Sequence, residues 1–440
     1  MKLENATADV TAIFGAVLKA IDPELLVRQK IVLVGDSLIV GSQRHQLPTG
    51  GKVVLLGVGK SAIGMARGVE TALGNRLDSG FVVTKLGLGG TGEALRRTTV
   101  WESNHPVPGE LSVAAGEELL CRAKALDQRD FAIVVVSGGG SALAEAPIEG
   151  ISLDDFKATT SLLLKGGADI STLNAVRRRL SRIKAGGLAR AIAPARIVNL
   201  ILSDVLGNPL TAIASGLSVA SESDDDWRIR ALHESAMWDG LPDSVRTSLE
   251  TAIPAEAVSN VVQSEIVGDA ATAARAATEA AVQLGYKPHL LGTAFAGDAR
   301  EFGRFWAQLA CAASNGYSDI QPPACVVGTG EMTVVVRGDG AGGRNTEMAA
   351  AAAIELSGHG GVAVASLATD GDDGISGAAG GVVVGDMISR LTAKGFNPED
   401  LLARNDTRAF LEASGGLIVT GQTGTNVNDL YLALITSFQP

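Results

Sequence analysis

The feature that most constrains this chain is a repeated pairing of a short, continuous apolar run ending in glycine with an amphipathic stretch. KVVLLGVG (52–59), FAIVVVSGGG (131–140), IVNLILSD (197–204), ACVVGTG (324–330) and VAVASLATDGDDG (362–374) are such runs. A strand that is apolar at every position is buried on both faces, and that requires helices on both sides of a sheet. The intervening segments supply them. Ile63, Ala66 and Val69 share one face of SAIGMARGVETAL (61–73), and Val10, Ile13, Phe14, Val17, Leu18 and Ile21 are spaced for a helix that Pro23 closes. FVVTK (81–85) and TTVWES (98–103) add strands, and 106–126 a helix. A second series starts at SEIVG (264–268), with helices at 269–284 and 299–314, KPHLLG (287–292) and GGLIVTG (415–421). MTVVVRG (332–338) after ACVVGTG predicts an antiparallel pair joined at Thr329-Gly330-Glu331. The reading is α/β, with two three-layer domains.

Between the two series, SESDDDWRIR (221–230) and LPDSVRTSLETAIPAEA (241–257) are polar, acidic and punctuated by proline, as expected of surface helices at a domain boundary. The expected domains are therefore 1–255 and 256–440. A balance of 37 Lys+Arg against 48 Asp+Glu, net −11, would repel nucleic acid and anionic membranes, but not a small anion in a locally positive site. Cys121, Cys311 and Cys325 are far apart and give neither a disulfide framework nor a zinc site. The N-terminus has no apolar signal core, and no run approaches the ~18 residues of a membrane span. The chain reads as soluble and cytoplasmic.

Ligands of open α/β sheets bind beyond the carboxyl ends of the strands. There this sequence places Gly59-Lys60-Ser61, Ser137-Gly138-Gly139-Gly140-Ser141, Ser203-Asp204, Gly330-Glu331 and Thr369-Asp370. Glycines let backbone amides approach an anion, and helix starts add a positive dipole end. Val54 stands where a Walker A glycine would be. Gly57-x-Gly59-x-x-Ala62 fits a loose dinucleotide pattern, but Lys85 follows FVVT where a ribose-binding acid belongs. Lys60 beside a helix start is either a snorkelling surface lysine or, the preferred reading, a cation placed to meet a bound anion. Gly343-Arg344-Asn345 opens another helix after a glycine loop, with Arg344 aimed at phosphate and Glu347 capping the start or holding Asn345. Asp204 and Asp370 are candidates for the proton acceptor and the Mg²⁺ ligand, in an order left open. NAVRRRLSRIKAGG (174–187) reads as a basic helix; it either pairs with the acidic stretch at 221–226 or turns Arg177 and Lys184 toward ligand anions. Asp224-Asp225-Asp226 reads as a solvated turn, and His105 as a hydrogen-bonded loop histidine.

The strings GVGKSAIGMA, ESNHPVPG, VVVSGGGSALAEAP, LNAVRRRLSRIKAGGLA, LILSDVLGNPLTAIASG, GTGEMTVVVRGDGAGGRNTEMA, LATDGDDGISGAAG and VTGQTGTNVNDL occur in this order. Together they resemble the glycerate 2-kinases, whose C-terminal part is the MOFRL domain. The resemblance implies a Rossmann-like N-terminal domain, a smaller C-terminal domain with a mixed sheet, and an active-site cleft between them. It implies ATP-dependent, Mg²⁺-assisted phosphorylation of D-glycerate at the 2-hydroxyl, with Lys60 and Arg344 matching residues on which the family depends. Leu217, Met332 and Thr346 depart from its usual pattern. Homo-oligomerisation stays open. The alternatives are an NAD(P)H-dependent hydroxypyruvate reductase, a label also used in this family, and a sugar-acid-binding protein.

Overall fold

The computed structural model describes residues 1–90, 94–220, 225–251 and 258–436, and the chain divides into two compact units. One comprises Pro23–Val267, the other Met1–Asp22 with Gly268–Pro440. The expected boundary at 255/256 lies outside the described residues, as does Asp224. The helix Leu3–Ala20 belongs to the C-terminal unit, where Ile21 O accepts from Thr425 Oγ1 at 2.8 Å and Asp9 Oδ2 from Tyr286 Oη at 2.6 Å.

The N-terminal unit is built on a six-stranded sheet in the order Thr98–Ser103, Ser79–Lys85, Val53–Val58, Phe131–Val136, Arg196–Leu202 and Val261–Gly268. The first five run parallel, and Val53–Val58 and Phe131–Val136 are buried at every position. The sheet's central apolar residues pack against the helices Glu110–Lys124 and Gly187–Ile192. SEIVG does not start the second domain. It lies in Val261–Gly268, which closes this first sheet, with Asn199 Nδ2 donating to Ser264 Oγ at 2.9 Å. A further antiparallel sheet, Ile31–Val34, Ser37–Val40 and Gln43–Gln46, went unread although Gly35-Asp36 marks its first turn. The chain lays strands outward from Val53–Val58 in one direction, then returns to place Phe131–Val136 on its other side. Strand order reverses between these two, which leaves a crevice at their carboxyl ends.

The C-terminal unit carries a mixed sheet in the order Lys287–Asp298, Ala324–Thr333, Asp429–Ile435, Val362–Ala368, Gly380–Val384 and Leu417–Ile418. Only the first pair is parallel. The antiparallel component arises from Asp429–Ile435, not from a hairpin at Thr329-Gly330-Glu331. Ala324–Thr333 is one strand through those residues, because Gly330 fits where a Cβ would lie 2.1 Å from Phe295 O. Gly330 and Glu331 are therefore within a strand rather than at its exit. The helices Ala270–Gln283, Ala299–Ser314 and Arg344–Glu355 bury alanine-rich faces in this unit.

Candidate active site

At the reversal point of the N-terminal sheet, two strand exits are locked together. Gly59 has φ +140°, and a Cβ there would lie 2.1 Å from Ser137 Oγ, so only glycine lets the loops meet. Ser137 Oγ accepts from Ser61 N at 3.0 Å, and Gly138 O accepts from Lys60 N at 2.9 Å. Gly139, at φ +81°, is bordered by two side chains: a Cβ there would lie 3.0 Å from the His105 ring and 3.4 Å from Lys60 Cγ. Lys60, His105 and the loop Gly138–Ser141 thus share one place. Ser61 Oγ is buried and makes no hydrogen bond among the described residues, which suits a ligand oxygen as its partner. Asp204 is half-buried, two residues past Arg196–Leu202, at the same edge of the sheet.

Behind this loop the backbone is unusual. Ala214, Ser215 and Gly216 have φ of +48°, +58° and +66°, a left-handed run that costs free energy at its non-glycine positions. Ser215 Oγ pairs with Ser141 Oγ at 2.8 Å, while Ser215 O and Gly216 O accept from Ala185 N at 3.1 Å and Gly186 N at 2.7 Å. The run therefore joins the glycine loop to the basic segment.

That segment corrects two expectations. The helix is Ile170–Arg179, and the chain turns at Ala185 and Gly186, both with positive φ, before Gly187–Ile192. Lys184 is not on a ligand-facing edge. Neither its side chain nor that of Glu145 is exposed, and the two form an ion pair. Glu145 Oε1 also accepts from Ser181 Oγ at 2.5 Å and Ala146 N at 2.9 Å. Burial pulls the Lys184 ammonium below its usual range, against the raising effect of Glu145. Arg178 and Arg179 pair with Asp225 and Asp226, the first of the two readings, so these acids are not a free solvated turn. Arg177 is half-buried, and its Nε makes no hydrogen bond among the described residues.

In the C-terminal unit, Arg344 opens the helix Arg344–Glu355 and forks onto Asp429, Nε to Oδ2 at 2.6 Å and Nη2 to Oδ1 at 2.9 Å. Its Nη1 lies 3.5 Å from Glu331 Oε1. Burial acts against the guanidinium charge, but Asp429 outweighs it and keeps the pKa above the usual value. Asp429 was not singled out from the sequence, because an acid at a strand start carries no periodic signal. Asn345 is buried, with Oδ1 accepting from Ser366 Oγ at 2.6 Å and Nδ2 donating to Asp373. It is committed to structure rather than turned to a ligand. Asp373 accepts from Asn345 N at 2.9 Å, Thr346 N at 2.8 Å and Thr346 Oγ1 at 2.9 Å. It sits against Gly343, where a Cβ would lie 2.4 Å from its Cγ. Burial, only partly offset by those bonds, pushes its carboxyl up to about 6. Glu347 neither caps the helix nor holds Asn345; it takes Arg300 at 2.6 Å and Asn405 at 3.2 Å. Asp370, at the exit of Val362–Ala368, is buried and accepts from Asp372 N at 3.0 Å.

The chain matches the family described as Domain of unknown function (DUF4147) over residues 9–250 and the MOFRL family over 324–429. It is 37% identical to the glycerate 2-kinase of Pyrococcus horikoshii over 432 residues, 96% of both chains. It is 38% identical to the D-glycerate 2-kinase of Thermotoga maritima over 384 residues, 87% of this chain and 91% of that one. The crystal structure of a Thermotoga maritima glycerate kinase superposes with a TM-score of 0.85 at 34% identity, covering 98% of this chain and all (100%) of that one. Similarity at this level along nearly the whole length, in sequence and in fold, places the chain in the glycerate kinase family, with a DUF4147 domain followed by a MOFRL domain.

Proposed function

We propose that this protein transfers the γ-phosphoryl group of ATP to the 2-hydroxyl of D-glycerate, giving 2-phosphoglycerate and ADP. The observation that carries the reading is the pair of interlocked strand exits bearing Lys60, in a chain whose relatives are named for this reaction. Amides of Gly138–Ser141 and the Lys60 ammonium bind and orient an oxyanion, and the buried Ser61 hydroxyl offers a further donor. The backbone bonds that fix Lys60 and Ser61 to the neighbouring loop hold these donors in place before the ligand arrives. Arg344 commits Nε and Nη2 to Asp429, and Nη1, 3.5 Å from Glu331 Oε1, is the nitrogen that would exchange that carboxylate for a transferring group. Asp204 or Asp370 accepts the proton of the attacking hydroxyl. Transfer is direct and in line, without a covalent intermediate.

Among the described residues no group of three or more His, Cys, Asp or Glu is placed to hold a metal ion. Single carboxylates at strand exits suit Mg²⁺, which is carried largely by phosphate oxygens and water. Asp204 or Asp370 would hold it, and it would neutralise phosphate charge. No helix among the described residues is long and apolar enough to cross a membrane. We place the protein in the cytoplasm with its small-molecule substrates.

The test is ADP release from MgATP with and without D-glycerate, alongside Lys60→Ala. Glycerate-dependent release that falls on the order of 10²-fold in the variant is expected. Oxidation of NAD(P)H by hydroxypyruvate without any glycerate-dependent ADP would overturn the proposal.

A further inference from the structure

The loop after Thr98–Ser103 leaves the edge of the N-terminal sheet, yet its His105 reaches the exit of Phe131–Val136, three strands away. At ordinary strand spacing that is about 14 Å across the carboxyl edge. The crossing is secured at several points. Ser103 Oγ, wholly buried, donates to Leu143 O at 2.7 Å. Ser112 O accepts from Glu145 N at 3.0 Å, and Gly116 leaves room where a Cβ would lie 2.1 Å from Glu145 O. These contacts fix both flanks of the loop to the segment that follows the glycine turn. The Nε2–Cδ2 edge of the His105 ring then lies against Gly139, with Cγ of Lys60 on the same position. A side chain at residue 139 would separate the imidazole from the loop. His105 is half-buried rather than sealed in the core.

We propose that His105 is a substrate-contacting residue of this site, its imidazole edge hydrogen-bonding, beside Lys60, to the oxyanion held by Gly138–Ser141. The assignment rests on the kinase reading for the identity of that anion, which is the carboxylate of the acceptor or the terminal phosphate of the nucleotide. A fixed imidazole next to an ammonium supplies a second, directional donor where the ammonium supplies a point charge.

Two measurements test it. In steady-state kinetics, His105→Ala loses kcat/KM on the order of 10²-fold, and His105→Gln, which keeps a donor, recovers part of it. A rise in KM for D-glycerate identifies the carboxylate, and one for ATP the phosphate. Both variants keeping wild-type KM values, with kcat/KM within about threefold, overturns the assignment. The second measurement uses the unmodified protein and needs no turnover: carbethoxylation of His105 by diethyl pyrocarbonate, followed peptide by peptide in a mass spectrometer. Protection by inorganic phosphate, ATP or D-glycerate is expected. An unchanged rate with all three overturns the role of His105, whereas protection in a protein that makes no ADP from glycerate overturns the kinase reading and leaves His105 at an anion site.

Discussion

Replacing Lys184 by Met removes the cation from a pair in which neither side chain is exposed. The Glu145 carboxylate then stays buried, with Ser181 Oγ at 2.5 Å and Ala146 N at 2.9 Å as its remaining donors. Two neutral hydrogen bonds do not offset the desolvation of a full charge, and breaking one side of such a pair costs roughly 3–5 kcal/mol. For a unit of this size that lowers the melting temperature by about 10 °C. The double variant Lys184→Met with Glu145→Gln removes both charges of the pair and returns to within about 1–2 kcal/mol of the parent, since a buried pair as a whole contributes little net stability. Calorimetric melting of the parent, both single variants and the double variant measures the coupling directly. The same proteins give KM for ATP and D-glycerate. If Lys184→Met melts with the parent but raises either KM tenfold, the buried-pair account is refuted and Lys184 reaches a ligand.

Gly59→Ala puts a Cβ 2.1 Å from Ser137 Oγ and 2.6 Å from Ser137 O, at φ +140°, so the loops must part; a melting drop with loss of ATP turnover is expected. Asp373 holds its proton more tightly folded than unfolded, so its contribution is complete below the unfolded carboxylate value near 4 and is lost as pH rises through about 6. Unfolding free energy should therefore fall from pH 4 to pH 7 by up to about 3 kcal/mol from this group, and Asp373→Ala should flatten that slope in denaturant titrations. Arg344→Lys keeps the charge but not the fork onto the buried Asp429, and should lose about 1–3 kcal/mol of stability in the same titrations.

The strands that form the N-terminal crevice were legible because burial on both faces writes an unbroken apolar run, as at 53–58 and 131–136. Their glycine exits were legible because only glycine permits the close approach at Gly59. What stayed hidden depends on partners distant in sequence. Lys184 looked like part of a basic helix until Glu145, 39 residues earlier, proved to be its counter-ion. Arg344 was visible in its glycine loop, but Asp429, 85 residues later, was not. Val261–Gly268 joined the first sheet because strand pairing, unlike periodicity, cannot be read along the chain. Gly380–Val384 was missed outright: five buried residues in a glycine-rich context carry little strand signal.

Phosphorylation of D-glycerate at the 2-hydroxyl is the activity we propose for this chain. Its most direct test couples the reaction mixture of protein, MgATP and D-glycerate to enolase alone, with phosphoenolpyruvate read by ultraviolet absorbance. The account predicts absorbance that grows without added phosphoglycerate mutase and stops when glycerate is left out. A signal that appears only when the mutase is added would place the phosphate on the 3-hydroxyl and contradict it.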